Sequence, residues 1–378
     1  MKHLSTRHTL AAIIASLAVS ACGGNDTEPQ IRALRVLGSA SLPTGTMYEG
    51  VEFGGISGLD KAADGSYWAI SDDRGGERGT PRFYNLGIDY ESGKPVEVKI
   101  NRQLHMLRPD GSKFSALART VDPESIRRAP NGNLYWASEG NWSSDAAQMY
   151  QPFLREMTTE GKFVREFAVP PMYLYRDNAT TGARSNKVFE ALTVADDDGT
   201  VYIANEDALA QDGPLTTVAA GSVVRVTAMG PTSGNAKAQY AYRLPAIPVD
   251  APAGAPFGPD NGLSEMLSIG KNRFIAVERA FASGIGNTIR LVETQITAST
   301  TNVLAVPSLT GASYTAMDRK VLLEMPITYE GIKLDNIEAI SWGKTLANGH
   351  RTLVLAADNN FTAQTQANQF IVLEVIND

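Results

Sequence analysis

The feature that most constrains this chain is a plan that recurs five times, at intervals of about 70 residues. Each copy has a short apolar strand, a Gly/Asn/Asp turn, and a second apolar strand that ends in an acid. The pairs are Gly55-Ile-Ser-Gly-Leu59 with Tyr67-Trp-Ala-Ile-Ser-Asp72, and Pro123-Glu-Ser-Ile126 with Leu134-Tyr-Trp-Ala-Ser-Glu139. They continue with Phe189-Glu-Ala-Leu192 and Val201-Tyr-Ile-Ala-Asn-Glu206, then Ser264-Glu-Met-Leu267 and Phe274-Ile-Ala-Val-Glu278. The last pair is Ile337-Glu-Ala-Ile340 with Leu353-Val-Leu-Ala-Ala-Asp358. Measured through Ser57, Glu124, Glu190, Glu265 and Glu338, the steps are 67, 66, 75 and 73 residues. A repeat of this kind is one supersecondary unit that buries its apolar faces only against its neighbours.

Stretches such as Arg82–Ile88, Ser222–Val226 and Thr288–Val292 alternate with the period of two expected of half-buried strands. Each unit therefore offers about four strands, the content of a propeller blade. The expectation is an all-β propeller of five blades, with six open if one unit is too degenerate to recognise. The last repeat, ending at Phe370–Ile376, is one strand short, and Ile31–Leu37 is the candidate to supply it and close the ring. The repeat also reinterprets Asp196-Asp-Asp-Gly199, which looks like part of a calcium loop. Its slot holds Ala63-Asp-Gly65, Pro130-Asn-Gly132, Gly270-Lys-Asn272 and Asn348-Gly-His350 in the other units, so it is expected to be a hairpin turn.

What recurs besides apolar residues is acid. One column runs Glu124, Glu190, Glu265, Glu338, and a second Asp72, Glu139, Glu206, Glu278, Asp358. In a propeller, equivalent positions of successive blades form a ring about the central channel. Crowded carboxylates raise one another's pKa unless positive charge sits among them. Hard oxygen ligands suit Ca²⁺, the favoured cation here, or Mg²⁺. Glu124, Glu190, Glu206, Glu338, Asn336 and Asp358 are the candidate metal ligands. Arg74, Arg184 and Arg279 are the cationic candidates, and with Glu124, Glu190 and Glu338 they form the expected catalytic set. Asp72, Asp73, Asn186 and Asn359 are expected to face substrate. The competing expectation is that the arginines only tie blade to blade through ion pairs with these acids.

Familiar alternatives are missing from the sequence. It has no G-x-S-x-G elbow, no Walker loop and no G-x-G-x-x-G motif. Only His105 and His350 lie beyond the first 21 residues, each expected at a turn or strand end, which disfavours a histidine-based site.

The amino terminus reads as a targeting segment. Lys2 and Arg7 precede an apolar run from Leu10 to Val19, which is too short to span a bilayer. The run ends in Val19-Ser-Ala-Cys22, which resembles the bacterial lipobox, and Cys22 is the only cysteine of the chain. The expected organisation is a signal peptide over 1–21, a lipidated tether over 22–30 and a propeller domain over 31–378. Lipidation at Cys22 implies export, with the lipid anchor as the sole membrane contact. Gly23 after the cysteine resembles the pattern of outer-membrane lipoproteins facing the periplasm. Without Lys2 and Arg7, 32 basic residues stand against 41 acidic ones. No basic stripe appears, so nucleic acid is not an expected partner.

Taken together, Gly54-Gly-Ile-Ser-Gly-Leu59, Ala69-Ile-Ser-Asp-Asp-Arg-Gly75, Arg82-Phe-Tyr84, Asp122-Pro-Glu124, residues 186–192 and 204–209, Asp335-Asn-Ile-Glu338 and Asp358-Asn-Asn-Phe361 resemble the phytase-like family, named for the esterase-like activity of phytase. The resemblance runs in order along nearly all of the chain beyond the tether, weakest in the fourth repeat. It implies cleavage of phosphate or other esters, with a small-molecule ester as substrate. Phosphate esters lead, a carboxylic ester or lactone on the same metal comes second, and a non-catalytic binding propeller is third.

Overall fold

A computed structural model describes residues 30–73, 76–91, 93–177 and 180–378. The expected signal segment, Cys22 and Arg74 lie outside the described residues. Five four-stranded antiparallel sheets make a five-bladed β-propeller. Blade 1 comprises Ile56–Lys61, Tyr67–Ser71, Arg82–Asp89 and Glu97–His105, and blade 2 Pro123–Arg128, Leu134–Ser138, Phe153–Met157 and Phe163–Glu166. Blade 3 comprises Phe189–Val194, Val201–Asn205, Ser222–Met229 and Ala236–Leu244. Blade 4 is built from Asp260–Gly270, Arg273–Ala282, Gly286–Gln295 and Asp318–Met325. Blade 5 takes Asn336–Trp342, Thr352–Asp358 and Ala367–Asn377 from the end of the chain, and Ile31–Pro43 from its beginning. That closing strand is longer than the sequence suggested. It pairs with the last strand from Ile31 opposite Asn377 to Pro43 opposite Ala367, so no edge is left open where the ring meets itself.

The core is split into layers between blades, because both faces of every sheet are covered. Trp68 and Phe83 of blade 1 pack with Trp136 and Phe153 of blade 2, and Tyr135 and Leu154 pack with Ile203 and Met229 of blade 3. Val226 meets Phe274 of blade 4, Ile275 and Ile289 meet Leu353 and Ile371 of blade 5, and Val354 and Phe370 return to Leu59 and Tyr84. Two-sided burial explains why strands such as Tyr67–Ser71 and Thr352–Asp358 are buried at every position. The first strands of successive blades touch one another around the ring and line the channel. Asp196–Gly199 is a hairpin turn: Ala195 N donates to Thr200 O at 2.9 Å, and Gly199 has a φ of 70°.

Candidate functional site

In every first strand the ladder skips one residue. Pairing jumps from Ile56 to Gly58, Pro123 to Ser125, Phe189 to Ala191, Leu263 to Glu265 and Ile337 to Ala339. A bulge of this kind leaves its extra residue unpaired and re-aims the side chain. The re-aimed residues are Ser57, Glu124, Glu190, Ser264 and Glu338.

The fourth member corrects the sequence reading. Ser264, not Glu265, is equivalent to the other three acids. Glu265 is in the ladder opposite Val277 and turns away from the site, with Oε2 2.9 Å from Arg127 and Oε1 accepting from Leu192 N at 2.8 Å. The second column shifts in the same way. Ser71, Ser138, Asn205, Glu278 and Ala357 face the residue just before each bulge, so the next positions are Asp72, Glu139, Glu206, Arg279 and Asp358. Blade 4 thus brings an arginine where an acid was expected. Glu278 is buried elsewhere, bonded to the Tyr242 hydroxyl at 2.5 Å and to Arg319 at 2.6 Å. Side chains alternate along a strand, so a one-residue slip moves both acids to the opposite face.

One carboxylate oxygen from each of Glu124, Glu190 and Glu338 lies within 4.8 Å of the others, and the same holds for Asp72, Asp122 and Glu124. Glu124 belongs to both groups. Glu124, Glu190 and Glu338 are 5%, 5% and 6% exposed, and Glu190 Oε2 is buried without a hydrogen-bond partner. Burial first, then repulsion from Glu190 on Glu124 and from Glu206 and Glu139 on Glu190, pushes both well above the usual carboxylate range. Glu338 is pushed up to about 8 by burial and by Asp358, with Arg279 opposing. Asn336 Nδ2 donates to Glu338 Oε1 at 2.8 Å and lies 3.4 Å from Asp358 Oδ2. A cavity of about 810 Å³ opens over these groups, lined also by Asn186, Arg78, Arg279 and Asp260.

A cationic network flanks the acids. Arg279 Nη2 is 3.1 Å from Glu206 Oε1 and 3.2 Å from Glu338 Oε1, while Lys187 Nζ bridges Glu206 Oε2 at 2.7 Å and Asp260 Oδ2 at 2.6 Å. Both oxygens of Glu206 are therefore engaged, and it sits in this network instead of the three-acid group. Gly262 makes room for it: a Cβ there would lie 2.4 Å from Glu206 Cγ. Burial disfavours the Arg279 charge, but Glu206, Glu338 and Asp260 outweigh it and hold the guanidinium above its ordinary pKa.

Other expected residues are not brought to the site. Arg184 donates to the carbonyls of Ala208 at 3.1 Å and Gly213 at 2.8 Å, away from the cavity lining. Asn359 locks blade 5 to blade 1, accepting from Gly55 N at 2.9 Å and donating to Thr44 Oγ1 at 2.8 Å. Asp73 lies in the wall but is bonded to Arg82 and to Arg78 N. Asp122 and Lys187 were missed. Asp122 stands two residues before its bulge, a slot filled by Gly55, Val188, Gly262 and Asn336 in the other blades, so no residue type recurs there as a signal.

No curated protein matches the sequence. Among solved structures, the chain resembles a putative exo-β-1,3-galactanase from Bifidobacterium bifidum s17 (11% identity, 91% of this chain and 94% of that one, TM-score 0.41). A GH43_1 enzyme from Xanthomonas citri complexed with xylotriose gives 14% identity, 89% and 90% coverage and a TM-score of 0.43. A luciferin-regenerating enzyme gives 10%, 90%, 94% and 0.38. The family comparison is of another order. Residues 51–361 match the family described as "Phytase-like: Esterase-like activity of phytase", which supports an enzyme built on a propeller. That stretch contains the first strands of all five blades, with every bulge and acid described above, and the chain belongs to the phytase-like family.

Proposed function

We propose that this protein is an exported, metal-dependent ester hydrolase. The observation that carries the reading is the unpartnered, buried Glu190 Oε2 within the three-acid group. A buried carboxylate without a donor is costly unless a cation satisfies it, and an all-oxygen donor set suits Ca²⁺ or Mg²⁺. Glu124, Glu190 and Glu338 would hold the cation, with Asp358 and Asn336 beside them. When bound, a divalent cation supplies a Lewis acid that polarises a phosphoryl or carbonyl oxygen. Asp72 and Asp122, each with a carboxylate oxygen within 4.8 Å of Glu124, would take a proton from an attacking water. Arg279 steadies Glu338 and faces the cavity, where its charge opposes negative charge developing on the ester.

Phosphate esters are the first class to test, since clustered arginine and a divalent cation are what phosphate binding uses. A carboxylic ester or lactone is the second, favoured by the excess of acids over cations along the cavity. Export with an acyl anchor at Cys22, facing the periplasm from the outer membrane, rests on the lipobox-like Val19–Cys22.

The test measures bound metal, melting and turnover on the same samples. Glu190→Gln and Glu338→Gln should each lose metal and lower turnover by about 100-fold or more, at least the effect of losing an outer-shell partner. Metal-free Glu190→Gln should melt no lower than the metal-free wild type, because one repelling carboxylate is gone. The reading fails if the wild type binds no divalent cation. It also fails if both variants melt early yet keep full activity per folded molecule, the behaviour of acids that only pair with arginines.

A further inference from the structure

We propose that the substrate of this site is an ester with an aromatic or bulky apolar portion and at most one negative charge, and that Phe257 is a specificity residue for it. The inference rests on the hydrolase reading. Two observations lead to it, charge and the apolar side chains of the lining.

Among the described residues lining the cavity, ten are acidic, whereas the basic ones are Arg78, Arg279 and Lys333. Arg279 is already shared among Glu206, Glu338 and Asp260. Asp73, Glu77 and Asp260 are paired with Arg82, Arg119 and Lys187, so seven lining acids face Arg78, Arg279 and Lys333. With one divalent cation bound, a polyanion still meets more like charge than opposite charge. Electrostatic mismatch of this kind selects against a ligand.

Apolar side chains contributed by blades 4 and 5 and their loops also line the cavity. The first strand of blade 4 runs for 11 residues, against 6 or 7 in the other blades. Its extra length pairs Asp260 with Phe281 and Asn261 with Ala280, and so raises a wall beside the acids. Phe281 lines that wall with Ile285, and Phe257, on the loop leading into it, lines the same cavity. Phe257 is 70% exposed and belongs to none of the described apolar clusters between the blades. Phe361 also lines the cavity, with the Arg78 guanidinium 5.3 Å from its ring centre. Phe361 and Asn360 both have positive φ, 50° and 44°, a conformation that non-glycine residues adopt at a cost and that clusters at ligand clamps. Bonds from Asn360 N to Asp358 at 2.7 Å and from Phe361 N to Asn359 at 3.4 Å hold it. Apolar side chains set beside a cluster of convergent polar groups suit a ligand with one apolar and one reactive end.

The experiment compares wild type and Phe257→Ser on phenyl acetate, methyl acetate, bis(4-nitrophenyl) phosphate and inositol hexakisphosphate. It also measures binding of 2-naphthol by its fluorescence, which needs no turnover. Phe257 is exposed, so the variant should melt with the wild type. We expect KM for whichever aryl ester is cleaved, and Kd for 2-naphthol, to rise about ten-fold, part of what full burial of a phenyl ring provides. The kcat should stay within about two-fold, as for loss of uniform binding, and methyl acetate should be unaffected. If no ester is cleaved while 2-naphthol binds in a Phe257-dependent way, the hydrolase reading fails and the apolar subsite stands. If esters are cleaved but the substitution moves neither KM nor Kd, or if inositol hexakisphosphate is the best substrate, this inference is overturned.

Discussion

Replacing Arg127 by methionine keeps most of its stem and removes every donor from a guanidinium that ties four blades together. Arg127 is three residues beyond Glu124 on the first strand of blade 2, and its side chain is buried. It donates to the carbonyls of Leu59 in blade 1, Leu192 in blade 3 at 2.7 Å and Met266 in blade 4 at 2.9 Å, and pairs with Glu265 at 2.9 Å. Breaking one side of a buried ion pair costs about 3–5 kcal/mol. Each carbonyl also loses a charged donor, worth about 1.5–3 kcal/mol. Arg127→Met should therefore lose more than about 5 kcal/mol, a large share of the roughly 5–15 kcal/mol that holds a domain folded.

Urea denaturation followed by the fluorescence of the four tryptophans measures the loss. Above the raised pKa of Glu265, where its carboxylate is charged and unpaired, adding Glu265→Gln to Arg127→Met should recover about 2 kcal/mol, within the range for directly coupled pairs. Burial already pushes Glu265 up to about 8 from an ordinary 4.5 despite Arg127, and losing Arg127 pushes it higher. The folded variant then binds this proton more tightly than the unfolded chain does. Its stability should accordingly be greatest below pH 4.5 as far as this group is concerned, falling as pH rises through 8. A loss below about 1 kcal/mol, the scale of an exposed ion pair, would refute the role assigned to Arg127, as would a double variant no more stable than the single one.

Deleting residues 31–37 should cost several kcal/mol, since it strips the last strand of partners along Leu373–Asn377 and uncovers buried Leu373 and Val375. An unchanged melting temperature would contradict closure through this strand. Cys22→Ser should abolish acyl labelling and leave the protein unprocessed or soluble, because retention depends on the acyl chains. Palmitate labelling that persists in the variant would contradict the anchor.

The sequence by itself determined the architecture. Five blades share one strand plan, and a repeat is legible because each blade must solve the same packing problem on both faces. Closure by the amino-terminal strand followed from counting, since the fifth unit lacked a fourth strand. Glu124, Glu190 and Glu338 were legible as a ring because three blades carry the same residue at the same place. The tertiary structure alone decided which carboxylates meet. A bulge sets the frame of every first strand, and in blade 4 it selects Ser264 over Glu265 and thereby Arg279 over Glu278. Neighbouring acids look alike in a sequence, whereas in a sheet they point in opposite directions. Arg184, Arg127 and Arg279 are likewise one residue type with three fates: loop carbonyls, a tie across the channel, and the edge of the acid cluster. Which partner each meets depends on contacts between residues 24 to 139 positions apart, and no local pattern encodes those.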